Sequence, residues 1–252
     1  MNRNTPAVTG LLILNVSVFL AGLIPGWRTG IESVAALWFP RNDHFEAWQL
    51  VSYLFLHADF GHIFFNMFAL ASFGSVLEHQ WGAGRFLVFY FLCGIGAGLV
   101  QSGINWQEYH TLHDRLVVTG LTSPELDAMM ASGRGRIPTA PGAEAALRDL
   151  YLIFISRTVG ASGAIYGLLV AFGCLYPNAK LSLMFIPVPI AAKFFIPVML
   201  GLDLVSGLTG FSLFGAGIAH FAHLGGALIG FLLMLLWRRQ PNQGRLATET
   251  GP

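Results

Sequence analysis

A serine hydroxyl is a weak nucleophile until a neutral imidazole stands ready to take its proton. Ser162, in Gly160-Ala-Ser162-Gly163, and His223, ahead of Gly225-Gly226, supply those two groups from separate apolar stretches. Attack on an acyl carbon creates an oxyanion, which needs preorganised hydrogen-bond donors. His62 and Asn66 are four residues apart and share a helix face, so they can act there with the Ser162 backbone N–H. Tyr166 lies four residues beyond Ser162 on the same face, and Gly160 and Gly163 permit close approach of a helix or a substrate backbone. This set points to acyl-transfer chemistry. A second chemistry also fits part of it, because the pair His220/His223, joined by His57 and His62, has metal or haem ligand spacing. Against that, Asp203 is the lone acid inside an apolar span and no metal-type Cys spacing exists.

The elements that position these residues must live in lipid. Of the 252 residues 54% are hydrophobic and 11% charged, against about a quarter charged in an ordinary soluble domain. The segment 104–157 holds 11 of the 27 Asp, Glu, Lys and Arg residues. Soluble, disordered and fibrous classes are excluded, and a polytopic membrane protein is left. With a net charge of +1 and no basic stripe, nucleic acid is excluded as a partner. Cys93 and Cys174 fall in apolar runs and read as small hydrophobes.

Six stretches are apolar enough to span: 7–24, 60–77, 86–103, 158–176, 194–214 and 215–237. The first reads as a retained helix and not a cleaved signal. The distribution of Lys and Arg favours both ends inside, once the long 104–157 loop is given less weight. The fold expectation is an all-α bundle of six transmembrane helices, N-in and C-in, with a long, partly helical outer loop between helices 3 and 4. Residues 1–240 form the membrane core and 241–252 a short polar tail. Helices are expected from Ser123-Pro124-Glu125 and over 143–155, while 180–193, broken by Pro187 and Pro189, is expected as an extended segment on the membrane surface. In this topology spans 2, 4 and 6 all begin at the outer surface. His62, Ser162 and His223 then lie roughly 3, 6 and 12 Å below it, so the three clusters can meet.

These residues resemble the rhomboid intramembrane serine proteases. The likeness rests on His57-Ala-Asp-Phe-Gly-His62-Ile-Phe-Phe-Asn66, Gly160-Ala-Ser162-Gly163-Ala-Ile-Tyr166-Gly167 and Ala222-His223-Leu-Gly-Gly226-Ala-Leu-Ile-Gly230. The resemblance implies a Ser162–His223 dyad without a third carboxylate. It implies an oxyanion hole of His62, Asn66 and the Ser162 N–H, and a Tyr166 ring stacked on His223. It further implies a structural role for Glu78 and no metal, nucleotide or organic cofactor. The implied partners are membrane-protein substrates with a helix-destabilised transmembrane segment, met within the bilayer. Segments 27–56 and 205–217 would shape and gate access. Gln49 follows Trp48 where many family members carry Arg, which puts an Arg-anchored loop in doubt. The 104–157 insertion is expected to shape substrate access.

Two further readings stay open. One is a catalytically silent rhomboid-like protein that binds client helices, the other a metal or haem carrier. The expected location is a bacterial cytoplasmic membrane with the active site toward the outer face.

Overall fold

The computed structural model describes residues 4–183, 186–211 and 218–238. The end of span 5 and start of span 6 (212–217), part of the expected gating segment, and the 241–252 tail lie outside the described residues.

Chain order begins with α1 (Pro6–Gly22) and α2 (Trp27–Ala35), then a short strand β1 (Leu37–Trp38) and a turn of helix α3 (Gln49–Ser52). The second apolar segment runs as α4 (Phe60–Ala69), a π turn over Leu70–Gly74 and α5 (Ser75–Trp81). The long α6 (Ala83–Val118) is followed by α7 (Ser123–Ser132), α8 (Ala143–Phe154) and strand β2 (Arg157–Thr158). After them come α9 (Ser162–Leu175), strands β3 (Lys180–Leu183) and β4 (Ile186–Ala191), α10 (Ala192–Thr209) and α11 (His220–Arg238). Among the described residues, four helical segments are long and apolar enough to cross a membrane: Phe60–Trp81, Ala83–Val118, Ala192–Thr209 and His220–Trp237. The apolar helices α1 and α9 are shorter, at 17 and 14 residues. Ile13, Leu20, Phe60, Val198 and Leu208 point outward and exposed, as side chains solvated by lipid do.

The 104–157 segment departs from a loop. α6 has 36 residues, which at 1.5 Å each makes it about 54 Å long, well beyond a hydrocarbon core of about 30 Å. Its far end joins α7 and α8 in a separate apolar core, where Tyr109, Leu116, Leu126, Met130 and Leu150 close on Phe39 from the segment after β1. The α7 start follows from its sequence. Thr122 and Glu125 cap each other's backbone N–H groups in a capping box, and Pro124 sits in the first turn. Arg41 pairs with Asp127 at 2.9 Å and lies over the Tyr109 ring. The extended 180–193 segment is an antiparallel hairpin of β3 and β4.

Near the other end, the buried Glu78 carboxylate accepts the Ala7 and Val8 N–H groups at 2.9 and 2.8 Å. It thereby supplies the acceptors that the first turn of α1 lacks and places negative charge at that helix's positive end.

α9 packs most extensively with α11, and α11 with α6. A Cβ on Gly226 would fall 1.9 Å from the Gly163 carbonyl oxygen, and one on Gly230 would fall 2.7 Å from the Gly167 Cα. The two helices therefore touch backbone to backbone, where no side-chain rotation can make room. Gly226→Ala is expected to push α11 off α9 and cost about 1–3 kcal/mol or more. A lower unfolding temperature in detergent is the result to look for; an unchanged value would refute the contact.

Candidate active site

Ser162 is positioned by what precedes it. β2 pairs antiparallel with β1 through Leu37↔Thr158 and Trp38↔Arg157. The chain then turns at Gly160, with φ +121°, and the Gly160 N–H donates to the Tyr53 carbonyl at 2.9 Å. A Cβ at Gly160 would come within 2.7 Å of the His62 ring, so both the backbone angle and the space call for glycine. Ser162 opens α9. The first helical bond runs from the Ile165 N–H to the Ala161 carbonyl, which leaves the N–H groups of Ser162 and Gly163 without intrahelical acceptors at the positive end of the helix.

His223 sits in the first turn of α11 with Nε2 2.9 Å from Ser162 Oγ. Tyr166 stacks on its ring at 4.2 Å between centroids and 11° between planes. The Ala222 N–H donates to the Gln101 side chain at 3.2 Å, tying this turn to α6.

His62 lies in the first turn of α4, where the Asp59 side chain caps the helix by accepting the His62 N–H at 2.8 Å. The Ala58 N–H donates to His62 Nδ1 at 3.3 Å, so the imidazole proton belongs on Nε2, the nitrogen beside Gly160. Asn66 is buried and its amide donates to the His62 carbonyl at 2.8 Å. The expected residues therefore converge as two groupings around Ser162: His223 with Tyr166 on one side, and Gly160 with His62 on the other.

Two residues turn out otherwise than expected. The structure sets a carboxyl beside the expected dyad, since Asp203 Oδ1 lies 3.1 Å from His223 Nδ1 and 2.5 Å from His220 Nδ1. The Tyr166 side chain lies close enough to Asp203 to interact with it electrostatically. The sequence leaves the partner of this carboxyl open, because nothing in it says which face of span 5 meets span 6. The available signal was the His220/His223 pair three residues apart and one acid opposite it. Among the described residues these three place ligand atoms within 4.8 Å of one another, and hydrogen bonds to one shared oxygen account for that convergence.

Gln49 also anchors its loop without an arginine. Fully buried, it accepts from the N–H groups of Trp38 and Glu46 and donates to the carbonyls of Val34 and His44, the last at 2.6 Å.

Fold and site together define a polytopic helical membrane protein with a serine–histidine pair at a helix N-terminus inside its apolar body. Residues 44–240 match the Rhomboid domain family model, and the chain belongs to the rhomboid family. It is 26% identical over 226 residues to Rhomboid protein 1, mitochondrial, of Saccharomyces cerevisiae, covering 89% of this chain and 51% of that protein. With Rhomboid protease AarA of Providencia stuartii the identity is 25% over 248 residues, covering 94% and 74%. With RHOMBOID-like protein 12, mitochondrial, of Arabidopsis thaliana it is 29% over 239 residues, covering 92% and 57%. The chain thus spans about half the length of the yeast and plant relatives. The mitochondrial names of these two relatives overturn the expectation of a bacterial cytoplasmic membrane with an outward-facing site. The multi-pass character stands.

His57, just ahead of α4, packs edge-on against His62 at 4.9 Å. Burial pushes its imidazole down to about 3, with the neighbouring His62 acting in the same direction and the Phe55 backbone and Asp59 opposing. The folded state keeps His57 neutral, while the unfolded chain takes a proton below its ordinary value of about 6.5. Its contribution to stability is therefore complete above that pH and is lost as the pH falls toward 3. In unfolding temperatures measured across this range, His57→Phe is expected to flatten the acid decline. An acid slope equal to that of the unaltered protein would exclude His57 as its source.

Proposed function

We propose that the chain is an intramembrane serine endopeptidase that hydrolyses peptide bonds in or near transmembrane segments of membrane-protein substrates. The observation that carries this reading is the 2.9 Å contact between Ser162 Oγ and His223 Nε2, with the His223 ring held against Tyr166. Ser162 attacks the scissile carbonyl as His223 Nε2 takes its proton, and the oxyanion is held by the Ser162 N–H, the His62 Nε2–H and Asn66. His223 returns the proton to the leaving amine, the C–N bond breaks, and water resolves the acyl-enzyme by the same route. Gly160 leaves room for the His62 ring beside Ser162, and Gly163 lets the start of α9 press against Ala97 and the Ala222 carbonyl. No cofactor enters any step.

Membership of a family whose relatives include a named rhomboid protease supports the proteolytic class. The proposed architecture has six membrane-embedded helices (α1, α4 with α5, α6, α9, α10 and α11), N-in and C-in, within a 1–240 core. Substrates with a helix-destabilised transmembrane segment fit this site best, because a peptide must unwind to present its carbonyl at the Ser162 turn.

Ser162→Ala is expected to abolish cleavage of a transmembrane reporter by purified, folded protein, and to abolish labelling by a fluorophosphonate. Persisting cleavage would reject Ser162 as the nucleophile, whereas absence of cleavage and labelling in the unaltered protein would favour the catalytically silent, client-binding reading. Loss of a single oxyanion donor, as in His62→Ala, is expected to lower kcat by about 10²–10³-fold with little change in unfolding temperature.

A further inference from the structure

We infer that Asp203 completes a Ser162–His223–Asp203 line. In this line it serves as a positioning residue, holding the His223 tautomer that can accept the serine proton. The inference rests on the Ser162–His223 reading above and goes beyond it, because that reading needs no carboxylate.

The geometry assigns the protons. Asp203 Oδ1 faces Nδ1 of His223 at 3.1 Å and Nδ1 of His220 at 2.5 Å. An ionised carboxylate can only accept, so with Asp203 ionised both Nδ1 atoms donate to its oxygen. A neutral imidazole carries one N–H. With that proton on Nδ1, His223 presents a bare Nε2 to Ser162 Oγ 2.9 Å away, and the hydroxyl donates to it. The opposite tautomer would set an Nδ1 lone pair against the Asp203 oxygen, a repulsive contact. Its Nε2–H would donate to Ser162 Oγ, which leaves no lone pair to take the serine proton.

As Ser162 attacks, its proton passes to His223 Nε2 and the ring becomes a cation. Asp203 takes no proton; it faces that developing charge from 3.1 Å, in a setting where it is 7% exposed and His220 9%. In such low-dielectric surroundings a fixed opposite charge acts more strongly than in water. The carboxyl is itself held in place. His220, on the same helical turn as His223, donates to it, and the Tyr166 ring covers the imidazole. Tyr166 and Asp203 thus fix one ring by its face and by its edge.

A purely structural carboxyl, tying α10 to α11, would use the same contacts. The test therefore reads the tautomer and the turnover, in the full chain in detergent micelles. Histidine ¹⁵N spectra of the unaltered protein, with His223 assigned from its loss in His223→Ala, are expected to show His223 protonated on Nδ1. Asp203→Asn is expected to move that proton to Nε2, because the carboxamide can donate, and to lower kcat by about 10²–10⁴-fold with KM within about twofold. An Nε2-protonated His223 in the unaltered protein overturns the inference, and this measurement stands even if Asp203→Asn fails to fold. So does an Asp203→Asn protein whose kcat stays within about threefold while Ser162→Ala is inactive. Cleavage by Ser162→Ala overturns instead the nucleophile reading on which the inference rests.

Discussion

The backbone contact between α9 and α11 is the constraint on which the site depends. Gly226 faces the Gly163 carbonyl and Gly230 faces the Gly167 Cα, so the two helices approach more closely than any side chain would allow. Lipid offers no hydrophobic gain for pressing apolar helices together, so close packing and interhelical hydrogen bonds must hold them. The two small-residue seams provide that packing along two turns. One turn above the Gly163–Gly226 contact, the same approach leaves Ser162 Oγ and His223 Nε2 at hydrogen-bond distance.

A polar cluster inside an apolar body is stable only when its members satisfy one another. Asp203 is the hub of such a cluster, bonded to His220 and His223, so one carboxyl ties α10 to α11, and His223 in turn reaches Ser162 and Tyr166 on α9. On the other side of Ser162, Asp59 caps α4 and Ala58 sets the His62 proton on Nε2. Both imidazoles next to Ser162 therefore have their proton positions set by groups outside the proposed reaction.

The remainder of the fold holds the Ser162 turn in place. The β1–β2 pair, the Gly160–Tyr53 bond and the buried Gln49 amide fasten the segment after α2 to the segment before α9. Beyond the membrane-length helices, α7 and α8 form a second core with the end of α6 and with Phe39. The insertion is thus a packed unit braced against the same segment that carries Gln49. Gln49 has the hydrogen-bonding capacity to organise its loop with two donors and two accepting lone pairs, which is why an arginine is not required there.

Much of this was legible along the chain. Scarcity of charge identified a lipid-solvated protein, and Ser123-Pro124-Glu125 announced the start of α7. Apolar run lengths located the membrane helices within about five residues, save for α6, which runs on past Gly103 to Val118. Ser162, His223, His62, Asn66 and Tyr166 stood out because few other polar groups occupy those runs. Local chemistry determines such features, since helix periodicity, caps and apolar length are properties of adjacent residues. The start of α9 at Ser162, four residues later than the apolar run begins, was not legible, because it is set by the pairing of β2 with a strand about 120 residues earlier. The partners of Asp203 and Gln49 were hidden for the same reason. A sequence states which residue types a helix carries, but its rotation and neighbours are decided by packing against other helices, and only that packing turned a lone acid in span 5 toward His223.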